Sequence, residues 1–313
     1  MEYYRCYVLF ILLLALSGNM AAVINVVATL GRSVLLNLNY ELPASSLIQW
    51  NFNGPLVAQY FTPSFHCYHQ LTGRCEVYRN GSLRIDNVSY ADEGDYVLNT
   101  QVLGSPDSIK STEYQLRVYA SLTAPTLRYS AGTNNPLISG TNVTLQCDAG
   151  NQSVTTYTFS KDQKMICSDS QPPCRGQYLD FTPISESDSG SYTCTIQNPV
   201  SSNTSNSLTL TVYAPVSAVT VTSNTSGALW AGQDSASLYC TAQGSAITFF
   251  WTLNGNPVSS IPPYYITQSD SPPHSYLTIS PVSKNDTGPI TCTASNQANS
   301  VTSNATSLNI NCK

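Results

Sequence analysis

One short pattern occurs three times in the chain and constrains the fold more than anything else. It reads "ADEGDYVLN" at Ala91–Asn99, "SDSGSYTCT" at Ser187–Thr195 and "NDTGPITCT" at Asn285–Thr293. Tyr96, Tyr192 and Ile290 occupy one slot, spaced by 96 and 98 residues. The second and third copies follow Asp-x-Gly-x-x-x-Cys, whereas the first places Leu98 at the cysteine. Each copy leads into an alternating segment: "YQLRVYA" (Tyr114–Ala120), "LTLTVYA" (Leu208–Ala214) and "LNINCK" (Leu308–Lys313). Period-2 alternation with β-branched residues and Gly/Pro/Asn/Ser punctuation predicts short antiparallel strands. The expected fold is all-β, three tandem sandwiches of about 100 residues each.

The cysteines sharpen this. Cys147 and Cys194 are 47 residues apart, and Cys240 and Cys292 are 52 apart, with Trp251 eleven residues after Cys240. Cys…Trp…Cys at such spacing is the immunoglobulin signature: strands B and F bridged across the core, an aromatic ring against the sulfurs. Phe159 takes the aromatic slot in the second domain. Tyr192 supplies a tyrosine corner there, and Ile290 removes it from the third.

The first domain keeps the frame without the bridge. "SVLLNLNY" (Ser33–Tyr40) serves as strand B, with Leu36 or Leu38 at the cysteine position, Trp50 in strand C, and Tyr96 with Leu98 in strand F. Losing a core disulfide costs about 2–5 kcal/mol. Two buried leucines return about 1.5–3 kcal/mol each, so a cystine-free sandwich is viable. Arg74 and Asp92 read as the strand-D to strand-F clamp of variable-type domains. The long Trp50–Tyr96 interval leaves room for the C′ strands of that type.

The domain plan is therefore 1–22 a signal peptide, 23–120 variable-type, and 121–214 and 215–313 constant-type. The leader rests on Arg5, the apolar run Tyr7–Ala15 and the small residues after it; the run is too short to span a bilayer. A signal anchor is the alternative. No later apolar run of spanning length occurs, so the chain as given is expected to be secreted, or displayed at the cell surface if an anchor lies beyond Lys313.

Only 10% of residues are charged, the net charge is −5, and Lys and Arg form no cluster. That argues against a nucleic-acid or anionic-membrane partner. Solubility falls to neutral polar groups and sugars. Eight Asn-x-Ser/Thr sequons, at Asn80, Asn87, Asn142, Asn151, Asn203, Asn224, Asn285 and Asn304, point to an exported glycoprotein.

Three stretches, "SVLLNLNYELPASSLIQWNFNG", "GRCEVYRNGSLRIDNVSYADEGDYVL" and "LRVYASLTAP", resemble the N-terminal domain of the carcinoembryonic-antigen-related cell adhesion family. "YTCTIQNPVSSNTSNSLTLTVYAP" resembles its constant-type domains. The hepatocyte cell adhesion molecule and the CD2/SLAM group are near alternatives. The resemblance implies a variable-type first domain without the B–F disulfide and adhesive contacts through that domain.

Nine cysteines remain after Cys6 leaves with the signal peptide. Beyond Cys147–Cys194 and Cys240–Cys292, the close pairs are Cys67–Cys75 and Cys167–Cys174. The first is expected across a hairpin, "CYHQLTGRC", within the Cα separation a disulfide requires. Neither short pair belongs to the resembled family's pattern. The competing reading of "FHCYHQLTGRC" is a zinc site of His66, Cys67, His69 and Cys75, opposed by the oxidising secretory route. Cys312 is left over, either because the chain is truncated or a splice form, or because it bridges two copies into a dimer.

No nucleophile elbow, zincin helix or phosphate-binding loop is present, so neither an enzyme nor a cofactor is expected. A protein partner is. The first domain's sequons, Asn80 and Asn87, flank strand E and direct sugar toward the ABED sheet, leaving the GFCC′ sheet bare. Alternation turns Ile48, Trp50 and Phe52 inward with Tyr96 and Leu98, and Gln49, Asn51, Asn99 and Gln101 outward. The resemblance places these four on a homophilic face, with Gln59 and the apolar Phe61 beside them on C′. The partner would be a second copy or a related immunoglobulin-superfamily ectodomain. A soluble ligand, decoy or matrix glycoprotein is the other function class.

Overall fold

The computed structural model describes residues 22–43, 46–61, 64–105, 109–132, 135–169, 171–225 and 227–311. Residues 1–21 of the expected signal peptide, and Cys312, lie outside them. The chain divides into two compact units. The first runs to Thr123 and includes Ala149–Thr155 and Ile196–Asn203; the second holds Ala124–Asp148, Thr156–Thr195 and the chain from Thr204 on. Among the described residues, regular structure is strand apart from 3-10 helices of one turn.

The first sandwich has nine strands: β1 (Ile24–Thr29), β2 (Val34–Leu36), β3 (Ser46–Phe52), β4 (Leu56–Phe61), β5 (Ser64–Cys67), β6 (Cys75–Val77), β7 (Leu83–Ile85), β8 (Gly94–Val102) and β9 (Lys110–Tyr119). One sheet runs β1-β9-β8-β3-β4-β5, and β2-β7-β6 opposes it. In strand letters these are A-G-F-C-C′-C″ against B-E-D. Strand A therefore leaves the sheet that the sequence assigned to it. It runs parallel to β9, Ile24 opposite Tyr114, and covers a β9 edge that would otherwise expose unpaired amides.

The core is built as a cystine-free sandwich. Leu36 and Leu98 are fully buried, and Trp50, paired opposite Leu98, packs its ring 5.1 Å from that of Tyr114. The indole Nε1 donates to Gly81 O at 3.0 Å, which satisfies its buried polar atom. Tyr114, buried, has its hydroxyl pushed up to about 12 by desolvation.

Cys67 and Cys75 are disulfide-bonded with Cα atoms 6.0 Å apart, but they do not face each other in a hairpin. Cys67 ends β5 and Cys75 starts β6, which belong to different sheets. The 3-10 turn His69–Leu71 drops Leu71 into the core and carries the chain across. The bond therefore staples the sheets at their edge. Cys167–Cys174 does the same in the second sandwich, joining Lys164–Ser168 on one sheet to Cys174–Arg175 on the other.

The second and third sandwiches oppose an A-B-E-D sheet with a C′-C-F-G sheet. Cys147–Cys194 and Cys240–Cys292 bridge B to F, with Phe159 and Trp251 buried in the two cores. A turn is also repeated. Asn198 donates from Nδ2 to Ala120 O at 2.8 Å while its Oδ1 accepts from the Ser201 amide. Asn296, 98 residues on, donates to Ala214 O at 2.7 Å and accepts from the Asn299 amide.

Loop length sets the relative value of the two kinds of bridge. The chain-entropy relation gives about 2.5 kcal/mol for closing an 8-residue loop and about 4 kcal/mol for a 47-residue loop. Denaturant unfolding of the oxidised chain, read by hydrogen exchange in each core, should show Cys147→Ala/Cys194→Ala costing the second sandwich more than Cys67→Ser/Cys75→Ser costs the first. Equal losses would show that native-state packing around the sulfurs, rather than chain entropy, dominates.

Candidate functional site

The β9-β8-β3-β4-β5 face is organised by one lateral register. Ser111 pairs with Asn99, Asn99 with Gln49, Gln49 with Gln59, and Gln59 with His66. Five strands thus contribute a row without an Asp, Glu, Lys or Arg side chain. Alternation puts all five on the outer side, because Trp50, Leu98 and Tyr114 fill the inner one.

The amides that the sequence treated alike separate into two groups. Asn99 is engaged at both ends: Ser111 Oγ donates to its Oδ1 at 2.6 Å, and its Nδ2 donates to Asn51 Oδ1 at 3.3 Å. Asn51 Nδ2 in turn donates to Gly54 O at 2.9 Å. These two asparagines brace strands C, F and G. Gln49, Gln59 and Gln101, all half-buried, make no side-chain hydrogen bond among the described residues, so their amides are left unspent.

Two apolar residues that the sequence reading passed over join them. An open depression of about 330 Å³ is lined by Leu47, Gln49, Asn99, Thr100, Gln101 and Ile109. Leu47 lies opposite Gln101. Ile109 is 61% exposed and Phe61, at the end of β4, is 51% exposed. The parity argument would have found Leu47, two residues before Gln49. Ile109 sits just before β9 and no strand pattern marks it.

Charge collects at the other end of the sheet. Glu113 pairs opposite Val97, Asp95 accepts from Gln115 Nε2 at 3.2 Å, and Arg117 meets Glu93 at 2.9 Å. Beneath lies the clamp. Arg74 donates to both Asp92 oxygens, at 3.1 and 2.8 Å, and Asp92 also accepts from the Ser89 amide and hydroxyl. Burial pushes the Asp92 carboxyl up, but the Arg74 and Ser89 hydrogen bonds outweigh it and hold the group below the usual carboxylate range. Tyr96 donates its hydroxyl to Asp92 O at 3.0 Å.

Asn80 and Asn87 are exposed at the two ends of β7, on the opposing sheet. Asn142, Asn151, Asn224, Asn285 and Asn304 are exposed as well; Asn203 is half-buried and donates to Leu122 O. A depression of about 450 Å³ in the third sandwich, lined in part by Val258, Ile261 and Tyr264, also includes Asn285, so sugar there would stand at its mouth.

The zinc reading of His66, Cys67, His69 and Cys75 is overturned, because the two sulfurs are bonded to each other and supply no thiolate. Among the described residues no group of three or more His, Cys, Asp or Glu could hold a metal. No helix among them is long and apolar enough to cross a membrane.

Comparison with known proteins agrees with this architecture. A model for the immunoglobulin domain matches residues 125–198 and 218–296. Both stretches are immunoglobulin domains. The chain is 29% identical over 171 residues to V-set and immunoglobulin domain-containing protein 10 of Danio rerio, covering 51% of this chain and 31% of that protein. It is 29% identical over 248 residues to neural cell adhesion molecule L1 of Takifugu rubripes, 75% of this chain and 19% of the relative. HEPACAM family member 2 of Mus musculus is 26% identical over 121 residues, 38% of this chain and 26% of its own length. The chain thus spans under a third of each of these relatives. Murine CEACAM1b superposes with a TM-score of 0.51 at 24% identity, over 61% of this chain and 98% of that structure. At that identity the likeness shows the immunoglobulin fold alone.

The clamp makes a prediction with a definite sign. A depressed carboxyl stabilises the folded state above the unfolded value near pH ~3.9 and loses that contribution as pH falls through the folded value. Arg74→Met leaves a buried carboxylate unpaired and should cost the first immunoglobulin domain about 3–5 kcal/mol at pH 7. The variant's loss should shrink as pH falls, starting where the unpaired Asp92 begins to protonate, in acid-titrated unfolding. A loss that stays constant from pH 7 to 2 would mean that Arg74 acts by packing alone.

Proposed function

We propose that the chain is an extracellular adhesion or recognition glycoprotein that binds a protein through the β9-β8-β3-β4 face of its first immunoglobulin domain. The partner is a second copy or a related immunoglobulin-superfamily ectodomain, and the domain plan is 23–120, 121–214 and 215–313. The observation that carries the reading is the unspent amides of Gln49, Gln59 and Gln101 beside exposed Phe61 and Ile109, on the sheet opposite both of the domain's sequons. A relative named as a neural cell adhesion molecule supports the same class.

The chemistry suits a contact of modest strength. Each neutral amide hydrogen bond contributes a net of about 0.5–1.5 kcal/mol, and one or two apolar anchors supply the rest. Many copies on opposed surfaces would raise the avidity. Sugar on β7 confines approach to the bare sheet without blocking it.

The test is sedimentation of the glycosylated chain, alone and with candidate ectodomains. Gln49→Arg should abolish association without lowering the melting temperature, because the Gln49 side chain braces nothing. Asn99→Arg should weaken association and destabilise the domain together, because it breaks the Ser111–Asn99–Asn51 brace. Association that survives both changes would place the interface elsewhere.

A further inference from the structure

The outer side of the third domain's A-B-E-D sheet collects aromatic side chains. Its strands are A (Ser217–Ser223), B (Ala236–Gln243), E (Pro273–Ile279) and D (Tyr264–Asp270). Leu238, Cys240, Leu277 and Ile279 are fully buried, so the residues alternating with them face out. Tyr239 lies opposite Tyr276 with ring centres 4.7 Å apart, and the His274 ring stands 5.4 Å from each. Tyr276 is 41% exposed and Tyr265, on strand D, 47%. The hydroxyls of these three tyrosines make no hydrogen bond among the described residues.

The row beside the rings is built of small residues. Ser237 pairs with Thr278, whose other neighbour is Tyr265, and the two small hydroxyls bond at 3.1 Å. At the strand-A end of this row stands Asn224, exposed, the first residue of an Asn-Thr-Ser sequon. Its backbone amide donates to Ser237 O at 3.1 Å, and its Oδ1 accepts from the Ser237 amide at 3.1 Å. The side chain is thus tethered by its oxygen. Its Nδ2, the atom that carries an N-linked sugar, makes no hydrogen bond among the described residues. Neighbouring strands lie about 4.8 Å apart, so the row from Asn224 to Tyr265 runs about 14 Å. Neither this row nor the ring-bearing rows beside it hold an Asp, Glu, Lys or Arg.

We propose that this face is a carbohydrate platform and that its occupant is the chain's own N-glycan on Asn224. The first sugars run along Ser237 and Thr278, and their C–H faces pack against the Tyr239 and Tyr276 rings. A pyranose presents C–H groups on its faces and hydroxyls around its rim. Aromatic rings with unspent phenolic hydroxyls match both. Because the sugar is rooted in the same row, its effective concentration is high and no second molecule is needed. The glycan covers an aromatic patch that the domain otherwise leaves in water. The inference rests on the sequon being occupied and is independent of the binding face on the first domain.

The test uses the full chain expressed with isotope-labelled sugars. Mass spectrometry should find sugar on Asn224, and NMR should show its core-sugar protons shifted upfield by the rings. Ser226→Ala removes the sequon, keeps the Asn224 bond to Ser237, and identifies the signals of this glycan by their loss. Tyr239→Thr/Tyr276→Thr should abolish the upfield shift without changing occupancy. Peptide-N-glycosidase acting on the native chain should release the Asn224 glycan about two- to tenfold faster from that variant, the size of one aromatic contact. Release at Asn304, in the same domain, should stay constant and so separates lost stacking from general loosening. The proposal fails if Asn224 is bare, or if the shift is absent or survives the double substitution. It fails equally if release at Asn224 does not quicken, or quickens no more than at Asn304. An unshifted glycan together with self-association lost on Tyr276→Thr would assign the face to a second copy instead.

Discussion

The rest of the structure depends on a carboxylate buried at the turn from strand E to strand F. In all three immunoglobulin domains a serine and an aspartate three residues later close a one-turn 3-10 helix. Ser89–Asp92, Ser185–Asp188 and Ser283–Asp286 do so through amide-to-carboxylate bonds of 2.8, 2.7 and 2.7 Å. This turn sets where strand F begins, and a one-residue slip there would exchange its inner and outer faces. Tyr96 and Tyr192 lock the register by donating to the aspartate carbonyls. The third domain lacks the tyrosine, and Tyr264 from strand D donates to the Asp286 carboxylate instead, at 2.8 Å. In the first domain Arg74, also beside strand E, occupies that role. Different donors thus serve one acceptor, fully buried in the first and third domains and half-buried in the second.

Covalent ties follow a similar economy of position. Among the described residues, the second domain carries both a B–F bridge and an edge staple, the third only the bridge, and the first only the staple. Moving the first domain's disulfide to the C″–D edge leaves Leu36, Leu98 and Trp50 to fill the centre by packing. The sheets remain joined, but the joint lies at one edge, away from the G, F and C strands.

The repeated motif was legible because it recurs with its neighbours intact, and alternation assigned Gln49, Asn51, Asn99 and Gln101 to the outer side without any structure. Three features were not legible, each for a physical reason. The Cys67–Cys75 crossing depends on which sheet receives each strand, and spacing alone cannot distinguish a hairpin from a change of sheet. Strand A's pairing with β9 is likewise a choice between two open edges. The division of the outward amides into bracing and free ones depends on the reach of each side chain across the strands, which sequence parity does not encode.

That division would also let one sheet hold its shape while presenting the face proposed to bind. A face made only of free amides would lose side-chain entropy at every contact it formed. Here Asn51, Asn99 and Ser111 bond to one another and hold three strands in fixed relation, so the glutamines beside them stand on an ordered floor. "ADEGDYVLN" supplies both parts of that arrangement. Asp92 and Tyr96 fix the strand, Leu98 replaces a cystine with packing, and Asn99 ties its neighbours together. The first domain can therefore forgo the central disulfide without loosening the surface that its own side chains already brace.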